Sequence, residues 1–258
     1  MSTMRISEIG EHGLGLAVLA MGVQSLCATV HLSNVPLGPP LQTQGTFVTS
    51  ITCLFLATAG LSLVTGYGRR QAGVALAVVF GTRAAAVYLW KIFILTHQSG
   101  PWTATAELAA LSAASLEVAV SYNIPIGAEP LNRVGLRWDA IARVVFGTSL
   151  LVFGIQHFMY ARFIAGLIPA WVPARYAVGV AVGVGFILTG AAVSSGRHRA
   201  SAGIALGVMF LTWVLVLHAP RVLAAWRDGN EWTSALIALA MFGASWRMVD
   251  ASAPSGPT

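Results

Sequence analysis

Six histidines are spread along 258 residues, and four of them, His31, His97, His157 and His218, fall near matching ends of long apolar runs. An imidazole in such a position can hydrogen-bond a quinone carbonyl, relay a proton, or ligate haem or a metal. The plainer alternative is an interfacial ring satisfied by headgroups, water or a neighbouring carbonyl. His157 and His218 lie near the ends of the fifth and seventh runs, so both rings are expected to approach one cavity. No metal is expected, because the two are far apart in sequence and no carboxylate cluster accompanies them. Arg221 follows His218 by three residues. It is a candidate for an electropositive rim around a ligand, or simply for snorkelling to headgroups.

A second set of groups is costly in lipid and therefore a candidate in its own right. Arg83 sits near the middle of the third run, roughly 18 Å above Gln71 at ~1.5 Å rise per residue. In the fourth run, which returns the other way, Glu107 lies roughly 23 Å and Glu117 roughly 8 Å above the inner end at Tyr122. Similar depth predicts an intramembrane ion pair between Arg83 and Glu107, either fixing the bundle or serving a polar ligand or proton. Glu117 is expected near the inner headgroups. Cys27 and Cys53 lie singly in apolar runs without CxxC or zinc spacing and read as small core residues.

The elements that position these groups follow from composition. Charged residues make up 9% and hydrophobic residues 56% of the chain, with a mean hydropathy of +0.75. A soluble domain carries roughly a quarter charged residues, so too few are present to clothe a water-facing surface. The net charge of +6 comes from scattered arginines rather than a phosphate-binding stripe, which argues against a nucleic-acid partner. Apolar runs long enough to span a bilayer occur at 13–33, 46–66, 71–95, 103–123, 140–161, 173–195, 200–219 and 231–247. They lack the period-two alternation of a membrane barrel. The expected fold is all-α: a polytopic membrane protein of eight transmembrane helices, with the lipid bilayer as its main partner. The first run is not expected to be a signal peptide, since Glu8 and Glu11 stand beside Arg5.

The runs repeat. Gly22-Val23-Gln24-Ser25-Leu26 matches Gly154-Ile155-Gln156-His157-Phe158 at an offset of 132. Gly66, Arg69, Gly73, Phe80 and Thr82 match Gly196, Arg199, Gly203, Phe210 and Thr212 at 130, as Trp102-Thr103 matches Trp232-Thr233. The chain divides into a four-helix unit over 1–126, a linker over 127–139 and a second four-helix unit over 140–258. An even number of helices gives two parallel four-helix bundle repeats. Arg83 aligns with Trp213 and Glu107 with Ile237, so both charges are absent together from the second unit. Nine basic residues on one side against five on the other place the N-terminus and the C-terminus in the cytoplasm.

The second unit carries GIQHF at 154–158, PAWVP at 169–173, GVGFILTG at 183–190 and HAPR at 218–221. It resembles the DoxX-like family of small four-helix membrane proteins, whose first helix typically ends in Gly-x-x-His-Phe. The likeness covers about 140–247 and is weak over 13–123, where Ser25 replaces the histidine. His157 is the residue that the motif carries over. The resemblance implies a protein of the cytoplasmic (inner) membrane, similar to a membrane subunit of a thiosulfate:quinone oxidoreductase and working with a redox partner protein. The expected function is binding of a quinone-like or lipid ligand near the extracytoplasmic face, with His157, His218 and Arg221 at the site. Quinone is the first choice of cofactor and haem the second; no catalytic residue is assigned. Two alternatives stand beside it: a small-solute transporter or channel lined by Arg83 and Glu107, and a non-catalytic membrane scaffold for a partner complex.

Overall fold

In lipid every backbone N–H must find its acceptor within the segment, so apolar runs of this length become helices. The computed structural model describes residues 5–30, 46–94, 98–122 and 129–249, and contains no strand among them. The helices are α1 (Ile6–Val30), α2 (Thr46–Thr65), α3 (Arg69–Ile94), α4 (Ser99–Ser121) and α5 (Glu129–Met159), then the short α6 (Ala161–Leu167), α7 (Arg175–Ser195), α8 (Arg199–Ala224) and α9 (Gly229–Arg247). His31, His97 and residues 127–128 of the expected linker lie outside the described residues.

Among the described residues six segments are long and apolar enough to cross a membrane: Ile6–Leu26, Arg69–Ile94, Gly100–Ser121, Val134–Met159, Arg175–Ser195 and Arg199–Ala224. The other two expected runs are helical but fall short of that measure. Within α2 the side chains are described from Thr49, which leaves the shorter apolar helix Thr49–Thr65, and α9 opens with the polar stretch 230–234. Residues 129–139 are not an extended linker but the first turns of α5. Pro130 sits in the opening turn, where its missing N–H is harmless, and nothing after it breaks the helix.

The helix starts recur at the interval of the sequence match: Arg69 and Arg199, Ala84 and Val214, Ser99 and Gly229 are each 130 apart. The turns before α3 and α8 also correspond, with Gly66 at φ 86° and Gly68 at φ 70° against Gly196 at 72° and His198 at 55°. These left-handed positions let the chain reverse in three residues, which is why glycine holds three of the four.

The eight long helices form a ring. Each packs on the next in chain order, α9 closes onto α1, and α4 touches α9 across the middle. Small residues permit the close approaches. A Cβ on Gly10 of α1 would stand 2.5 Å from the Arg247 backbone nitrogen of α9. Two polar contacts are equivalent by position: Gln24 of α1 donates to the Gly229 carbonyl and reaches Thr233 of α9 at 3.5 Å. Thr103 of α4 donates to the side-chain carbonyl of Gln156 on α5 at 3.1 Å.

One end of the ring is ionic. Arg199, 5% exposed, pairs with Asp139 at 2.6 Å and with Glu117, and donates to the Met248 carbonyl. Asp139 also pairs with Arg143 at 2.9 Å. Glu11 pairs with Arg69 at 3.0 Å, accepts from the Tyr122 hydroxyl at 3.1 Å, and meets Arg247 at 4.0 Å. Arg247 in turn donates to the Glu117 carbonyl at 3.0 Å. Glu117 therefore does not sit among headgroups; it is 2% exposed and bonded. Its partner Arg199 rides on a helix whose apolar run gives no hint of the contact. Acids Glu11 and Glu117 stand in the first half at the positions where the second half carries Arg143 and Arg247.

Removing one member of a buried ion pair leaves the other stranded, at about 3–5 kcal/mol. Arg199→Met should therefore lower stability by about that amount, measured by denaturant unfolding in mild detergent. A change under about 1 kcal/mol would mean that water reaches Glu117 and Asp139.

Candidate functional site

At the opposite end of the ring from the ionic cluster, the last turns of α5 and α8 meet the first turns of α4 and α9. The local sequence decides how close α5 and α7 come. A Cβ on Gly154 would stand 2.9 Å from the Gly183 carbonyl, and one on Gly183 would stand 2.8 Å from the His157 Cβ. The glycines of GIQHF and GVGFILTG thus let the two backbones touch and seat His157 directly over α7. Its ring packs on Phe186, with centroids 5.1 Å apart, and lies nearly parallel to Trp213 at 6.1 Å and 17°. Phe153, Phe186, Phe210 and Trp213 continue as one aromatic wall.

This wall bounds a cavity of about 710 Å³ into which His157, His218 and Glu107 all face, together with Thr103, Gln156, Tyr160 and Ser234. Phe163 and Ile164 of α6 close one side. The volume falls in the range of small-molecule sites, roughly 300–1,000 Å³, and the mixture of apolar wall and few polar groups is typical of them. Among the described residues no three His, Cys, Asp or Glu side chains gather as a metal set.

The two histidines are held differently. His157 Nδ1 is 2.8 Å from the Phe153 carbonyl, four residues back on its own helix. His218 Nδ1 is buried without a hydrogen-bond partner among the described residues. It stands at the end of a wide turn over Val214–His218, where the Ala219 N–H donates to the Val214 carbonyl, five residues back. Two sequence features favour that turn. Pro220 has no N–H for the Val216 carbonyl. Thr212 also turns its hydroxyl onto the Val208 carbonyl at 2.8 Å, as Thr82 does onto Val78 at 2.7 Å before the matching wide turn Ala84–Leu89. Such turns inside long helices are frequently found at functional sites.

Other expected residues lie elsewhere. Arg221 is not on the cavity wall; it pairs with Glu231 at 3.3 Å and its side chain is 38% exposed. Arg83 and Glu107 do not form the expected ion pair, since no contact within 4.0 Å joins them. Depth along a helix fixes height but not rotation, and Glu107 is turned toward α5 and α8. Cys53 is buried and free; the Cys27 side chain lies outside the described residues. Trp213, Gln156 and Thr103 join the site without having been expected there. The match of Gln24–Thr233 to Gln156–Thr103 is the signal that could have found the last two.

The cavity suits a flat ring with polar edges: the aromatic wall supplies stacking surface, and the buried His218 Nδ1 is a hydrogen-bonding atom left unsatisfied by the described residues. Comparison with protein families, with curated proteins and with solved structures gives no match to this chain.

The seat of His157 gives a direct check. Gly183→Ala forces its new methyl against the His157 Cβ, and overpacking of this kind costs about 1–3 kcal/mol. Gly185→Ala, whose Cβ meets nothing within 4 Å, should be close to neutral. Thermal unfolding of the two variants in detergent should separate them by several degrees; equal midpoints would mean that α5 and α7 are not in contact.

Proposed function

We propose that the chain is a membrane protein of DoxX-like type with eight spans in two four-helix repeats. It binds a quinone-like ligand in the His157–His218 cavity near the extracytoplasmic face and serves a membrane redox system as a subunit of a quinone-linked oxidoreductase. The observation that carries the reading is a cavity of about 710 Å³ in which two histidines from distant helices converge on an aromatic wall. A quinone ring stacks on such a wall, and its isoprenoid tail is at home between helices that expose apolar side chains to lipid. The recurrence of helix starts at 130 residues and the paired Gln–Thr contacts support the repeat. With both termini cytoplasmic, the ionic cluster lies at the inner end, and the cavity lies at the outer end.

In this arrangement the protein's own residues bind and orient. His157 fixes one edge of the ring and Trp213 and Phe186 its plane. His218 and Glu107 are placed to hold or pass a proton at a second polar edge. The ligand supplies the redox chemistry, and its electrons go to or come from a partner protein.

Protein purified gently from its native membrane should yield a stoichiometric quinone in an organic extract, and a His157→Ala/His218→Ala variant should lose most of it. An extract holding only phospholipid would sink the reading. Topology is checked separately with single cysteines in intact cells. One at Asp228 should react with an impermeant reagent and one at His198 should not; the reverse pattern would invert the assignment.

A further inference from the structure

The cavity's polar atoms differ in the hydrogen-bond roles left to them, and that difference selects a ligand. The Phe153 carbonyl can only accept, so the contact at 2.8 Å requires that His157 carry a proton on Nδ1. In the neutral ring Nε2, at the opposite edge, then has a lone pair and no hydrogen. His12, on a regular stretch of α1, uses its Nδ1 in the same way on the Glu8 carbonyl at 2.6 Å. His218 departs from this pattern: it ends the wide turn Val214–His218, and its Nδ1 is left without a partner among the described residues. Its ring can therefore adopt either tautomer. Glu107 faces the same cavity with no ion-pair partner within 4.0 Å among the described residues; like the His218 ring it can accept or, when it holds a proton, donate, so His157 is the one whose role is fixed.

A quinone carbonyl is an acceptor too. Placed against His157 Nε2 it sets lone pair against lone pair, and one of the two atoms is left buried and unsatisfied. A hydroquinone hydroxyl is a donor and satisfies that nitrogen, while its second hydroxyl meets Glu107 or His218. We propose that the cavity selects the hydroxyl-bearing, reduced form of its ligand, a hydroquinone in preference to the quinone, with His157 Nε2 as the fixed acceptor. The proposal rests on the quinone reading above and concerns binding alone. No bond is made or broken and no electron moves.

The test compares three probes of one ring size by anaerobic calorimetric titration of the wild-type protein in detergent: a short-chain hydroquinone, the corresponding quinone, and the hydroquinone dimethyl ether. The unsatisfied acceptor pair should make the hydroquinone bind about tenfold more tightly than the other two. In His157→Phe, which keeps a ring against Phe186 and Trp213, the preference for hydroquinone over quinone should be lost. The wild-type comparison needs no variant, so poor folding of His157→Phe cannot obscure the result. Quinone bound as tightly as hydroquinone, or more tightly, overturns the selection while leaving the quinone site intact. Equal affinity for hydroquinone and its dimethyl ether overturns it as well, because the hydroxyl hydrogens are then not used. Binding of none of the three removes both the site and the selection.

Discussion

A guanidinium withdrawn from water must be met on every side, and Arg199 meets this requirement by drawing three helices together. Its nitrogens reach Asp139 on α5, Glu117 on α4 and the chain just beyond α9, so the first turn of α8 is tied to both halves of the molecule. Between helices in lipid there is no hydrophobic drive, since acyl chains are as apolar as leucine. Register must come from polar contacts and close packing of small residues. Glu11 does for α1, α3 and α9 what Arg199 does for α8. The ring is thus pinned at one end by charge, and the glycine contacts along α1, α5 and α7 bring the backbones together above it.

The other end is built on the opposite principle. Charge there is sparse, and the walls are rings of Phe and Trp. What chemistry it has depends on where helical hydrogen bonding is regular and where it is not. On a regular helix a histidine tends to spend one nitrogen on its own backbone, as His12 and His157 do. His218, at the end of the wide turn Val214–His218, keeps its Nδ1 without a partner among the described residues. Two residues of the same type thus come to the cavity with different capacities.

Much of the architecture is legible in the residue pattern. Apolar runs bounded by Gly, Pro and charge give the helices, and the 130-residue recurrence of Arg69 and Ala84 in Arg199 and Val214 follows the match of the two halves. The same reasoning places His157 and His218 at one height, and they do line one cavity. What the pattern does not carry is rotation about each helix axis. Arg83 and Glu107 have similar expected depths yet form no ion pair, and Arg221 turns to Glu231. Residues 129–139 read as a linker because they are polar, but polar residues at the wet end of a helix are compatible with helix. Glu117 is the reverse case: its height suggests headgroups, and the packing of α8 and α9 against the ionic end buries it. The opposite charges at matched positions, Glu117 against Arg247, are visible in the sequence and are the trace of that contact.

Those matched positions also decide which halves can associate. The first half presents Glu11 and Glu117 where the second presents Arg143 and Arg247. Two copies of the first half, joined in the manner of this ring, would set acid against acid at both seams. Two copies of the second would set arginine against arginine. In this chain opposite charges meet across the seams instead, Glu11 with Arg247 on one side and Glu117 with Arg199, itself held by Asp139, on the other. Like-charge repulsion at a desolvated seam is an effective means of rejecting the wrong partner.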